Sequence, residues 1–128
     1  MRIAPGTQIF ADVHVKHAVP LGDWKLEVSA WDTLQRGLAD ALIVSGVGTG
    51  KATDVQDLKR LRAACPDAKI LLGSGVCAEN VADYVQDADG FITASSLKRG
   101  GKLTNPVDVR RVAALVKAIQ KQSKQAKA

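Results

Sequence analysis

One pattern constrains this chain more than any other, and it occurs four times. A short apolar run leads into a loop rich in glycine or small polar residues, and an amphipathic stretch follows. The apolar runs are QIFADVHV (8–15), ALIVSG (41–46), KILLGSG (69–75) and GFITAS (90–95). Their length and β-branched content read as strands. Helices are expected over 24–37, 54–64, near 78–86, and from Asn105 onward. Asp23 and Gly37 bracket the first helix. Thr53 and Gln56 make a capping box for the second, and Pro66 ends it. At the last helix Asn105 caps, Pro106 takes the first helical position, and Asp108 suits the positive end of the dipole.

The pattern also echoes internally. RGLADALIV (36–44) and VQDADGFIT (85–93) share an Ala-Asp entry into a strand, 49 residues apart. Strands that alternate with helices run parallel, with the helices covering one face. A βαβα pair repeated at this period is the spacing of a (β/α) barrel. The expected fold is therefore α/β, a parallel (β/α)4 half of a TIM-type (β/α)8 barrel whose full size is about 250 residues. A flat doubly wound sheet is the alternative. Residues 1–118 form the single domain of this reading, and 119–128 form a basic polar tail. An isolated half leaves two sheet edges and an inner face bare, so a homodimer, or pairing with another half-barrel, is expected.

Composition narrows the classes of function. The 128 residues carry a net charge of +5, much of it in the tail KAIQKQSKQAKA, which leaves a weak preference for anionic ligands. Aromatic residues are only 4%, which argues against stacking on nucleic-acid bases. Cys65 and Cys77 have no metal-site spacing, and two thiols without a signal segment suggest a reducing cytoplasm. No metal or cofactor is expected. MRIAPGTQIF lacks the apolar run of a secretory signal, and no window is apolar enough to span a membrane. Peripheral membrane association stays open.

The first strand is unusual because FADVHVKHA carries four ionisable groups. Alternation puts Asp12, His14 and Lys16 on one face and Ala11, Val13 and Val15 on the other. In a barrel the aliphatic face meets helices and the polar face looks into the lumen, with Lys16 nearest the C-terminal rim. Polar groups inside a sheet are costly without partners. Asp12, His14 and Lys16 are thus the candidate catalytic residues, against the plainer reading of a buried network that only sets register. Burial would make Lys16 a base or Schiff-base nucleophile; a neighbouring Asp12 would keep it a charged clamp. His17 points away or lies in the loop.

The loops after the other strands suit ligand binding. SGVGTGKATD offers Ser45, Gly46, Thr49 and Gly50, although it lacks the ending of a P-loop. GSGVCAEN offers Gly73, Ser74, Gly75 and Asn80, and TASSLKRGG offers Ser95, Ser96 and Lys98. The last two loops of a barrel often hold phosphate through backbone N–H groups. Cys77 reads as a packing residue. Asp40 and Asp89, at the opposite rim, read as structural, as does the i,i+4 pair Asp32 and Arg36. Trp24 and Trp31 lie seven apart and are expected to pack on a sheet or a partner half.

Together FADVHVKHA, RGLADALIVSGVGTG, LLGSGVCAEN, ADGFITASSLKRGGK and NPVDVRRV resemble the BtpA/SgcQ family over roughly residues 8–116. The resemblance implies a phosphate-binding TIM barrel, of which this chain matches the C-terminal half. The family takes its name from a role in photosystem I biogenesis, while some relatives sit among sugar-catabolism genes. One departure is Ala94, where the family usually has glycine; its Cβ crowds a close backbone approach to phosphate. Three functions follow as expectations. The first is binding or turnover of a sugar or nucleoside phosphate. The second is a non-catalytic assembly factor for a membrane complex, and the third an inactive truncated or engineered half-barrel.

Overall fold

The computed structural model describes residues 4, 6–15, 18, 21–46 and 52–125. Its elements are β1 (Phe10–Val13), α1 (Leu26–Gln35), β2 (Ala41–Val44), α2 (Val55–Ala64), β3 (Ile70–Gly73), β4 (Gly90–Ile92) and α3 (Val109–Gln125). A single 3₁₀ turn, Val81–Asp83, stands between β3 and β4. The four strands form one parallel sheet in the order β1-β2-β3-β4. Sequential order with parallel pairing is the arrangement of half a (β/α)8 barrel, as the alternation predicts; a doubly wound sheet would reverse its order partway.

Alternation sorts the strand residues onto two faces. Val13, Leu42, Val44, Ile70 and Leu72 turn toward the helices and are buried together with Ala30, Leu58, Leu61, Val76, Val81, Tyr84 and Leu115. Phe10, Asp12, Ile43, Leu71, Gly73, Gly90 and Ile92 occupy the other face. That face is only partly covered: Phe10 is 53% and Ile92 48% exposed.

Several local expectations change in the structure. The helix foreseen near 78–86 is instead a run of turns around the 3₁₀ segment. Asn80 accounts for this, because its side chain accepts from Cys77 N (2.8 Å) and donates to Gly75 O (2.9 Å), competing with helical bonding. Asp54 rather than Thr53 caps α2, accepting from Gln56 N at 2.8 Å. Thr53 is buried and its carbonyl takes the Tyr84 hydroxyl. Asp108 caps α3 by accepting from Arg110 N (2.9 Å), with Pro106 ahead of the helix and Asn105 donating to Arg99 O. Helix α1 starts at Leu26 with no side-chain cap, so Asp23 does not serve as one. Helix α3 runs to Gln125 and so passes residue 118 without a break. Trp24, just before α1, and Trp31, on it, do not pack on the sheet; both stay more than half exposed.

The N-terminal rim carries the structural acids. Asp40 Oδ2 accepts from Ile9 N at 2.7 Å, and Asp89 Oδ2 accepts from Ile70 N at 2.8 Å. Each aspartate also sends its own N–H to the carbonyl of the same isoleucine. Arg62 reaches across from α2 to Asp89 (2.7 Å) and to the carbonyls of Pro66, Ala68 and Asp87. Burial raises the Asp89 carboxyl pKa, but the Ile70 N–H, Arg62 and Lys69 outweigh it and hold it below the usual carboxylate range. The Asp32–Arg36 pair forms at 3.4 Å on the solvent side.

Candidate functional site

The C-terminal ends of β3 and β4 are bound tightly to each other. Thr93 Oγ1 donates to Val76 O at 3.0 Å, Ser96 Oγ donates to the same carbonyl at 2.7 Å, and the two hydroxyls lie 2.6 Å apart. Ser74 N adds a bond to Ile92 O. The Asn80 clip fixes the other side of the β3 exit loop. Ser45 Oγ, from the β2 exit, donates to Gly73 O at 2.7 Å. The three exits thus form one hydrogen-bonded rim.

Strain concentrates at this rim. Ser74 has φ 109° and Gly75 φ 72°, so two consecutive residues sit in the left-handed half of backbone space. For serine that conformation costs on the order of 1–3 kcal/mol and persists only where surroundings impose it. Among the described residues, no protein group accepts from the N–H of Gly75, Val76 or Ser95. Lys98 follows directly, and Arg111 Nη1 donates to Ser96 O at 3.2 Å from the first turn of α3.

Beside the rim, Cys77, Glu79, Ser96, Arg111 and Leu115 line a cleft of about 270 Å³. Burial, with a hydrogen bond to Glu79, pushes the Cys77 thiol above its ordinary pKa. The same bond holds the Glu79 carboxyl below its usual range, with Arg111 adding to the effect. A thiol kept protonated is a weaker nucleophile than a thiolate.

Asp12 and His14 of strand one part company. Asp12 stands exposed on the inner sheet face, level with Ile43. Regular strand geometry ends at Val13, and His14 takes φ 56°. That turn carries its ring to the helix side, where Nε2 lies 2.9 Å from Ser29 Oγ of α1. Lys16, His17, Thr49 and Gly50 lie outside the described residues. Ser45, Gly46, Gly73, Ser74, Gly75, Asn80, Ser95, Ser96 and Lys98 all fall at strand exits on the C-terminal side. Of these, the Ser45 and Asn80 side chains bond to backbone groups, and the Ser96 hydroxyl bonds to Val76 O and the Thr93 hydroxyl, so all three shape the rim. Ala94 adopts φ −133°, which needs no glycine. Thr93 and Arg111 were not singled out from sequence. Thr93 had a legible signal, a hydroxyl directly after β4; Arg111 had none, since contact across 15 residues is a tertiary fact.

A parallel (β/α)4 sheet with its polar loops gathered at the C-terminal rim places the chain among TIM-type α/β proteins. It belongs to the BtpA family, whose model matches residues 1–121. The family resemblance read from the motifs is therefore borne out. The photosystem I biogenesis protein BtpA of Synechocystis sp. is 42% identical over 111 residues, covering 87% of this chain and 39% of that protein. The sgc region protein SgcQ of Escherichia coli is 38% identical over 102 residues, covering 80% of this chain and 38% of that one. The chain thus spans well under half the length of these relatives. The native KDPGal structure superposes with a TM-score of 0.65 at 23% identity, covering 93% of this chain and 51% of that one, a likeness of fold alone. A designed cube-shaped, porous protein cage gives a TM-score of 0.63 at 27% identity, over 79% of this chain and 36% of that one. Among the described residues, no helix is long and apolar enough to cross a membrane, and no group of three or more His, Cys, Asp or Glu forms a metal site.

Proposed function

We propose that the rim between the β3 and β4 exits binds the phosphate of a small molecule such as a sugar or nucleoside phosphate. The observation that carries this reading is the pair of locked loops, with the part-exposed Gly75 and Ser95 amides donating to no described group. Backbone N–H groups held in fixed directions bind phosphate without reorganising. The Thr93–Ser96–Val76 bonds supply that rigidity, and Lys98 and Arg111 supply positive charge nearby. The ligand body would extend over the inner face toward Asp12.

The test is titration with inorganic phosphate and a panel of sugar and nucleoside phosphates, followed through backbone amide NMR shifts. Saturable shifts at Gly75 and Ser95 are expected, with several-fold weaker binding in Lys98→Ala. Shifts spread over the basic surface, or unaffected by Lys98→Ala, refute the site. A second reading, a non-catalytic assembly role, is favoured by the name of the cyanobacterial relative. It expects Lys98→Ala to leave assembly of a membrane complex intact while phosphate binding falls.

A further inference from the structure

Among the described residues the outer sides of β1 and β4 are unpaired, and these two edges match each other. The aspartate brackets align the halves of the chain: Asp40 holds Ile9 as Asp89 holds Ile70. This alignment places Ile9 on Ile70 and Asp40 on Asp89. Strand pairing agrees, since Phe10 lies opposite Ala41 just as Leu71 lies opposite Gly90. The chain is thus two βα-βα units, joined where β2 of the first pairs with β3 of the second.

That internal junction shows how a further unit would add. In it, Leu42 faces Ile70 and Ile43 faces Leu71. Carried through the alignment, Phe91 of β4 would face an Ile9, and Ile92 would face a Phe10. Ile92 and Phe10 both project from the inner face, and both are about half exposed. Every large apolar side chain left exposed among the described residues lies before Ala39 or after Phe91. The middle of the molecule, where the junction is already made, contributes none. The helix layer agrees. On α3, Arg111 and Ala114 line the cleft toward Cys77. Val109 and Val116, seven residues apart, fall on the opposite flank and are exposed.

We infer that a second copy of this chain closes the sheet, β4 of each copy pairing in parallel with β1 of the other. A two-fold axis along the barrel makes this junction twice, giving eight strands and no free edge. The occupant is a second copy because this chain's own two edges meet in phase. An unrelated strand would need to match each edge separately. Closure encloses Phe10, Ile43, Leu71 and Ile92 in a shared interior and brings two rims to one mouth. This holds whether or not the rim binds phosphate.

Light scattering on the 128-residue chain tests it, with twice the 13.5 kDa of one chain expected. Ile92→Lys and Phe10→Lys each place a charge in the junction and should return the mass to one chain with helical circular dichroism kept. Val28→Lys, on the exposed outer side of α1, should leave the pair intact. Hydrogen exchange supplies an independent reading, because amides of β1 and β4 should be as protected as those of β2 and β3. A single-chain mass for the unaltered protein overturns the inference. So does an open series of larger species, a pair that survives both lysine substitutions, or fast exchange confined to β1 and β4.

Discussion

Replacing Asp89 by asparagine isolates the electrostatics of the N-terminal rim. Asp89 Oδ2 accepts from Ile70 N at 2.8 Å and from Arg62 Nη2 at 2.7 Å, and Lys69 Nζ stands 3.9 Å from Oδ1. Asparagine keeps the shape and one acceptor oxygen but loses the charge. A hydrogen bond to a charged group is worth about 1.5–3 kcal/mol against about 0.5–1.5 for a neutral one. The carboxylate is 34% and the guanidinium 24% exposed, so solvent screening reduces the difference. A net loss of about 1–2 kcal/mol at neutral pH follows, or roughly 3–8 °C in Tm for a domain of this size.

The pH dependence gives the sharper test. The folded pKa of Asp89 lies below the ordinary value of 3.8. Its stabilisation is therefore complete above that value and is lost as pH falls through the folded pKa. Urea unfolding of both proteins should show a constant gap at neutral pH that narrows as the pH falls below the ordinary carboxyl value of 3.8 and through the lower folded pKa. A gap of zero at pH 7, or one that persists undiminished in strong acid, would refute the assignment.

Two further substitutions probe the sheet. Gly73→Ala would put a Cβ 2.7 Å from Ile43 Cγ2 and 2.8 Å from Ser45 Oγ, so overpacking should cost about 1–3 kcal/mol in chemical denaturation and loosen the β2–β3 rim. Leu72→Ala removes a fully buried side chain between β2 and β4 and should cost about 2–5 kcal/mol, with loss of near-ultraviolet signal on mild heating; a change under about 0.5 kcal/mol would contradict the core as described.

Periodicity carried the parts of this protein that depend on local pattern. ALIV and ILLG can only be strands buried on the helix side, and the paired Ala-Asp entries mark the starts of β2 and β4. The family motifs lie on these same elements, so fold and family were legible together. Tertiary contact decided the rest. Alternation carried past Val13 predicts His14 beside Asp12, but one left-handed residue turned the ring to Ser29. A helix pattern at 78–86 gave way because Asn80 found better partners in Gly75 and Cys77. Single residues that override a period leave no periodic trace. The rim, likewise, needs Thr93 and Ser96 of the β4 exit to meet Val76 of the β3 exit and Arg111 of α3, a meeting set by how the sheet places strand ends and not by any spacing along the chain.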